Sequence, residues 1–280
     1  MGVRIRKIGL GDRESVFGWV EALGWNPGER DAECLLEVDP DGAFMAERDG
    51  KPVGCATGIA YDGQFGFVGA LVVDPAMRGR GPATALAIYR HLLAHLGERN
   101  VGMDATSATK KFFEAMGCVA AYRHWRFEGE LPAGKGQGKA VRAAEMPFEA
   151  LCDYDAANFP ARREKFLRAW LGAYGGGSWA IARGGNLAGF GVVRRARRGW
   201  RVGPLLADDP DAAEELLLAM GAACGGGPAA LDVPEGNAAA MALARRWDMK
   251  ETFETTRLYS RRIPEISPER TYSIASYEFG

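Results

Sequence analysis

Phe65-Gly-Phe-Val-Gly-Ala-Leu-Val-Val-Asp-Pro75-Ala-Met-Arg78-Gly-Arg-Gly-Pro-Ala-Thr84 is the stretch on which the fold of this chain turns. Phe65–Val73 is a continuous run of apolar and small residues, the pattern of a strand buried on both faces. Pro75 ends it. From Ala83 to Leu96 the period changes, and Leu86, Tyr89, Leu92, Leu93 and Leu96 fall on one side of a predicted helix. Between strand and helix, a glycine-rich turn leaves the backbone N–H groups of Gly79, Gly81, Ala83 and Thr84 without helical partners, where the helix dipole adds positive charge. Pro82 lacks an N–H, yet its fixed φ suits a first helical turn. Arg78 and Arg80 bring full charges to the same place. Together these residues form the outline of an anion site that suits a pyrophosphate.

Two other phosphate motifs compete with this reading. No Gly-x-x-x-x-Gly-Lys-Ser/Thr loop is present. The dinucleotide fingerprint comes closer through Gly79-x-Gly81-x-x-Thr84 with Asp104 ending the next strand, but Thr84 replaces its third glycine and Asp74–Arg78 lengthen its tight turn.

Outward from this stretch the sequence repeats itself. Val68-Gly-Ala-Leu-Val-Val-Asp74 lines up with Val202-Gly-Pro-Leu-Leu-Ala-Asp208. Gly42-Ala-Phe-Met-Ala-Glu-Arg-Asp-Gly-Lys-Pro-Val-Gly54 lines up with Gly177-Ser-Trp-Ala-Ile-Ala-Arg-Gly-Gly-Asn-Leu-Ala-Gly189, and Met103-Asp-Ala105 with Leu231-Asp-Val233. The spacing is far longer than the 20 to 50 residues of a solenoid unit, so a whole domain is duplicated. A length of 280 residues agrees with two domains. In the first copy strands are expected near Val3–Arg6, Ala43–Arg48, Val53–Tyr61, Phe65–Val73, Val101–Asp104 and Val119–Phe127, with helices over Ser15–Leu23, Ala83–Leu96 and Thr109–Met116. Hairpins followed by a βαβ unit give an α/β fold with a mixed sheet. The glycine-rich segment from Gly129 to Lys139 reads as a linker.

Composition narrows the function. Hydrophobic residues at 47% and charged residues at 25% describe an ordinary globular chain. A net charge of −1 gives no bias toward nucleic acid or anionic membrane. The five cysteines form no Cys-x-x-Cys pair, which fits reduced thiols in a cytoplasmic setting and neither a disulfide framework nor a zinc site. Met1–Leu10 is charged, and no apolar run approaches the ~18 residues of a membrane span.

The order of these motifs resembles the GNAT superfamily of acyl-CoA N-acyltransferases. Its signature, Gln/Arg-x-x-Gly-x-Gly/Ala after a strand, reads here as Arg78-Gly-Arg-Gly-Pro-Ala83 after Leu71-Val-Val-Asp-Pro75. The resemblance covers about residues 1–128, and about 142–260 as a second copy without the motif. It implies two tandem GNAT-like domains: residues 1–128 binding acyl-CoA, 129–141 as linker, and 142–280 as a degenerate copy with a tail. It also implies acetyl-CoA or another acyl-CoA as cosubstrate and no metal. The backbone of Leu71, Val72 and Val73 would pair with the pantetheine arm, and Arg78, Gly79, Arg80, Gly81, Pro82, Ala83 and Thr84 would hold the pyrophosphate. In the second copy Ala207-Asp-Asp-Pro-Asp-Ala-Ala-Glu-Glu215 replaces the basic loop, and its carboxylates would repel a pyrophosphate.

The implied reaction is direct attack of an amine, most readily a small molecule's, on the thioester, with a backbone N–H near Val72 facing the oxyanion. The family's tyrosine acid falls on Phe113, which cannot donate. Tyr122 and His124 are possible donors and Glu47, Asp62 and Asp104 possible bases, none singled out by spacing. A non-catalytic acyl-CoA-binding regulatory protein, or a dinucleotide-binding protein, stays open as an alternative. His91 and His95 are spaced for a shared metal but lack a third ligand. Cys118 reads as core. The run Arg194-Arg-Ala-Arg-Arg198 reads as a solvated turn. The tail Tyr272–Gly280 alternates like an edge strand, able to extend a sheet or form a homodimer contact.

Overall fold

The strand, turn, strand, helix pattern is realised twice within one sheet. The computed structural model describes residues 3–77, 81–134 and 138–280. The first half runs β1 (Arg4–Lys7), α1 (Arg13–Ala22), α2 (Asp31–Val38), β2 (Ala43–Arg48), β3 (Lys51–Ala60), β4 (Phe65–Val73), α3 (Gly81–Leu96), β5 (Asn100–Ala105), α4 (Ser107–Ala115) and β6 (Val119–Leu131). The second runs β7 (Val141–Arg142), α5 (Phe148–Ala156), α6 (Glu164–Tyr174), β8 (Ser178–Arg183), β9 (Asn186–Arg195), β10 (Trp200–Ala207), α7 (Pro210–Cys224), β11 (Gly227–Pro234), α8 (Ala238–Arg246), β12 (Lys250–Tyr259) and β13 (Thr271–Ser273). Among the described residues, no helix is long and apolar enough to cross a membrane.

The strands β1 to β4 pair antiparallel in sequence order, and β4 pairs parallel with β5 across α3. Alternation along β4 sends Leu71 into a cluster with Ile88, Tyr89 and Leu92 of α3, and Val72 into another with Val20 of α1 and Trp25. The second half repeats the plan with α7, whose Leu216, Leu217 and Met220 pack on Val202 and Leu205. The two halves meet where Cys34, Leu35 and Val38 of α2 share a core with Phe166, Leu167 and Trp170 of α6.

The repeat does not show that the two copies exchange their last strands. The sheet order is β1-β2-β3-β4-β5-β12-β6-β11-β10-β9-β8-β7. Thus β12, from the second half, lies beside β5, while β6, from the first, lies beside β11. A buried ion pair fastens each exchange. Arg257 of β12 donates from Nε and Nη2 to Asp104 of β5 at 2.9 and 2.8 Å. Arg126 of β6 donates from Nε and Nη2 to Asp232 of β11 at 2.8 and 3.2 Å. These two aspartates are the ones aligned by the repeat, and each is held by the other half's arginine. Removing one partner of such a pair strands the other charge in the core. Gly129 to Leu131, at the start of the expected linker, are strand residues of β6, where Leu131 pairs with Gly227. Residues 135–137 of that segment lie outside the described residues.

The tail also departs from the edge-strand expectation. Residues 271–280 are all buried, and β13 pairs with β10, an internal strand of its own chain. The tail runs between the halves, where no second copy can reach it.

Candidate functional site

The β4–β5 ladder pairs Phe65–Val68 with Asn100–Met103 and stops there. At that point β4 bulges against β3: Gly69 faces Thr57 and Val72 faces Cys55, so Ala70 and Leu71 share one partner position, and Ala70 takes φ +46°. A bulge of this kind re-aims the backbone and ends pairing. Leu71, Val72 and Val73 therefore continue beyond the ladder, still paired to β3 on one side while β5 has diverged on the other. Arg78, Gly79 and Arg80, which the sequence places next, lie outside the described residues. Beyond it α3 starts at Gly81, with Pro82 and Ala83 exposed and Thr84 buried.

The second half builds the same wedge and fills it. Pairing of β10 with β11 spans only Trp200–Val202, after which Leu205 and Leu206 pair with Ser273 and Thr271 of β13. In the repeat, Leu205 and Leu206 stand where the first half has Leu71 and Val72. Ser273 bridges the divergent strands: its Oγ accepts from the Asp232 N–H at 3.0 Å and donates to the Val202 carbonyl at 2.8 Å. Ile274 N–H donates to the Asp232 carbonyl at 3.0 Å. Nearby, Asp209 caps α7, its side chain accepting from Ala212 N–H at 2.9 Å.

Against the inner face of β4 lies a pocket of about 70 Å³. Ile8, Val16, Val20, Leu35 and Leu36 supply apolar walls, Ala70 and Thr57 the floor, and Glu278 and Phe279 of the tail the far side. Thr57 Oγ1 is buried and has no hydrogen-bond partner. Glu278 is 8% exposed, and burial, reinforced by Asp31, pushes its carboxyl up against the opposing pull of Ser276, Arg194 and Arg201.

Both halves of the sequence match models of one family: residues 13–125 the acetyltransferase (GNAT) family and residues 151–273 an acetyltransferase (GNAT) domain. The chain belongs to the GNAT family, with two tandem GNAT domains. It is 24% identical to the holothin acyltransferase of a Pseudoalteromonas species over 276 residues, 97% of this chain and 92% of the relative. An acetyltransferase of Pectobacterium atrosepticum is 47% identical over 62 residues, 22% of this chain and 43% of its own. A crystal structure from Pyrococcus horikoshii, assigned as an acetyltransferase, superposes with a TM-score of 0.83 at 26% identity, covering all of this chain and 96% of that one. A tandem GNAT protein from the clavulanic acid biosynthesis pathway shares the fold, with a TM-score of 0.62 at 16% identity over 94% of this chain and 99% of its own.

The side chains weighed from the sequence as acids and bases in this GNAT site mostly have structural duties. Phe113 is buried against Tyr89 and Phe112. Glu47 accepts from Arg6 Nε at 2.6 Å, and Asp62 accepts the N–H groups of Gln64 and Phe65 in the β3–β4 turn. Burial would raise the Asp104 carboxyl, but Arg257 and His124 outweigh it and bring it down to about 2, which makes a poor base near neutrality. His124 is buried, with Nδ1 2.9 Å from Asp104 Oδ1 and Nε2 unpartnered. Half-buried Tyr122 packs edge-on to it. His95 Nε2 lies 2.8 Å from Asp39, and His91 packs against Phe44. No group of three or more potential metal ligands occurs among the described residues. Cys118 is buried with its Sγ 3.7 Å from the Tyr89 hydroxyl.

One reading of the charged segments is corrected. Arg194, expected in a solvated turn, is 1% exposed and donates to Asp31 and to the Gly203 carbonyl, because β9 carries it into the joint between the halves. Glu278 had no signal in the sequence. It sits far along the chain from β4, in a segment whose alternation said only that it was extended.

Proposed function

We infer that the chain is an acyl-CoA N-acyltransferase that transfers an acetyl or short acyl group to the amine of a small molecule in a ternary complex. The observation that carries this is the released edge of β4 at Leu71–Val73. The equivalent edge at Leu205–Leu206 takes a real strand, which supports reading the first as a slot for an extended, amide-bearing ligand such as pantetheine. Arg78, Gly79, Arg80, Gly81, Pro82, Ala83 and Thr84 would then hold the pyrophosphate at the start of α3.

In that arrangement the backbone N–H near Val72 faces the thioester oxygen as it gains charge. The pocket below Ala70 receives the acceptor and excludes water from it. Its narrow apolar walls suit a compact amine better than a protein chain, and a full-length relative named for acylating holothin supports the same class. With phenylalanine at 113, the departing thiolate takes its proton from another group or from solvent.

The test is thermal unfolding with acetyl-CoA, CoA and NAD, followed by a CoA-release assay over a panel of primary amines. At a hundredfold excess over the dissociation constant, acetyl-CoA adds about 2.7 kcal/mol. Stabilisation by acetyl-CoA and CoA but not NAD, with amine-dependent CoA release, is the expected result. Stabilisation without release under any amine favours the second reading, a non-catalytic acyl-CoA-binding protein, for which Phe113 argues. Protection by NAD alone overturns both.

A further inference from the structure

Gly69, where β4 leaves its ladder, is the point of closest approach of three groups. A Cβ on it would lie 2.6 Å from Glu278 Cα, 2.9 Å from the Glu278 carbonyl oxygen and 3.0 Å from Thr57 Oγ1. The tail therefore lies directly on the β4 backbone, beside the bulge, with Glu278 and Thr57 as neighbours across it. Both line the pocket beneath Ala70. The Asp31 carboxylate also lines the pocket but already accepts from Gly28, Tyr174 and Arg194, whereas Glu278 brings a carboxylate and Thr57 a hydroxyl oxygen that accepts from nothing in the protein. A buried, unused acceptor costs stability unless something binds it, and both atoms suit an N–H donor. The opening carries Arg13 and Glu33, each more than 40% exposed.

We propose that Thr57 and Glu278 form the amine subsite, Thr57 accepting an N–H of the acceptor and Glu278 taking its proton. The proposal rests on the acyltransferase reading above and adds the residues that recognise the second substrate. It assigns the acceptor as a primary amine on a compact apolar body. As the amine lone pair forms the C–N bond, the N–H proton passes to the Glu278 carboxylate. The carbonyl electron pair moves to oxygen and returns as the C–S bond breaks, and the thiolate leaves with that pair and is protonated from solvent. The groups facing Glu278 are Asp31 of α2, Arg194 of β9, Arg201 of β10 and Ser276 of its own turn. Burial and Asp31 favour the protonated form, and the arginines and Ser276 the ionised one, the balance lying toward a carboxyl easier to protonate than usual.

The experiment uses the full chain, acetyl-CoA and a panel of linear, branched and aryl-substituted primary alkylamines. E278Q should keep its acetyl-CoA thermal shift and lose about 10²-fold or more in kcat. It should also lose the acid limb of the kcat/KM profile that wild type shows as Glu278 ionises. T57V, which keeps the shape, should raise the amine KM several-fold and leave that for acetyl-CoA unchanged. Because E278Q also removes a charge near two arginines, T57V and the pH profile stand where E278Q unfolds. Wild-type turnover and pH dependence in E278Q, or an unchanged amine KM in T57V, overturns the proposal. A wild type that binds acetyl-CoA yet neither binds nor acylates any amine of the panel overturns the subsite alone. One that fails to bind acetyl-CoA overturns the acyltransferase reading beneath it.

Discussion

The two halves solve one problem in opposite ways. In each, a central strand abandons its parallel neighbour after a few residues and leaves backbone groups to be satisfied. At Leu205–Leu206 the chain does this itself, with β13 and the Ser273 hydroxyl knitting β10 to β11. At Leu71–Val73 the ladder stops after Val68. The tail lies on the face of β4 instead, over Gly69, after passing its counterpart Gly203, where a Cβ would lie 2.1 Å from the Ile274 carbonyl. One slot is closed from within and the other is framed, which teaches that the same divergence of strands can be filled by the chain in one half and left open in the other. The second half orders the tail, through β13 and β10, that then lies over β4 of the first.

The largest test concerns the locks. Asp232 accepts from Arg126, Arg201 and the Tyr277 hydroxyl, whereas Asp104 serves Arg257 and His124. D232N should cost about 3–5 kcal/mol because two arginines lose their counter-charge in the core, and D104N less. Guanidinium unfolding measures both, and equal losses would break the ranking. Acid tests the Asp104 lock next. Asp104 has a folded value of about 2 against an ordinary 3.8. A lowered carboxyl contributes stability that is full above its unfolded value and disappears as pH falls through the folded one. Between pH 4 and 2 the chain should therefore lose on the order of 2 kcal/mol from this group. Asp232 is likewise held well below the usual carboxylate range by Arg126 and Arg201; a D104N variant as acid-sensitive as wild type over this range would refute the assignment.

A smaller effect is expected at the filled slot. S273V removes one bond to each divergent strand and should cost about 1–3 kcal/mol, with acetyl-CoA affinity unchanged; a changed affinity in calorimetry would mean that the two slots communicate. The smallest sharpens the loops. Arg78→Glu should weaken acetyl-CoA binding roughly tenfold by placing repulsion beside the pyrophosphate. Asp208→Lys, in the acidic stretch that replaces the basic loop in the second half, should leave affinity alone, since β13 already pairs with β10 there.

Much of the fold was legible because its signals are local. Apolar runs, hairpin turns and the glycine-rich entry to α3 each announce an element within about ten residues, and a doubled pattern announces a doubled fold. α2 was missed because it is short and Arg30, at its N-cap, offers no capping bond. The strand exchange left no local trace. β6 and β12 both bring an arginine opposite an aspartate, so Arg126 and Arg257 fit either neighbour's pattern, and only packing decides between them. In the candidate site the proposed anion loop is contiguous, so the sequence can suggest it, although Arg78, Gly79 and Arg80 lie outside the described residues. Thr57 and Glu278 could not be read, because their meeting depends on where a tail of ordinary composition comes to rest.

The exchange also bears on how the protein comes into being. β5 is finished by Ala105, yet the strand that covers its free side begins at Lys250. Until the ribosome has delivered that strand, the first half is a sheet with an open flank, and β6 waits equally for β11. Contacts separated by some 150 residues make closure slow and leave bare edges for longer than two independent domains would. The halves should thus mature as a single cooperative event late in synthesis, and either half expressed alone should aggregate.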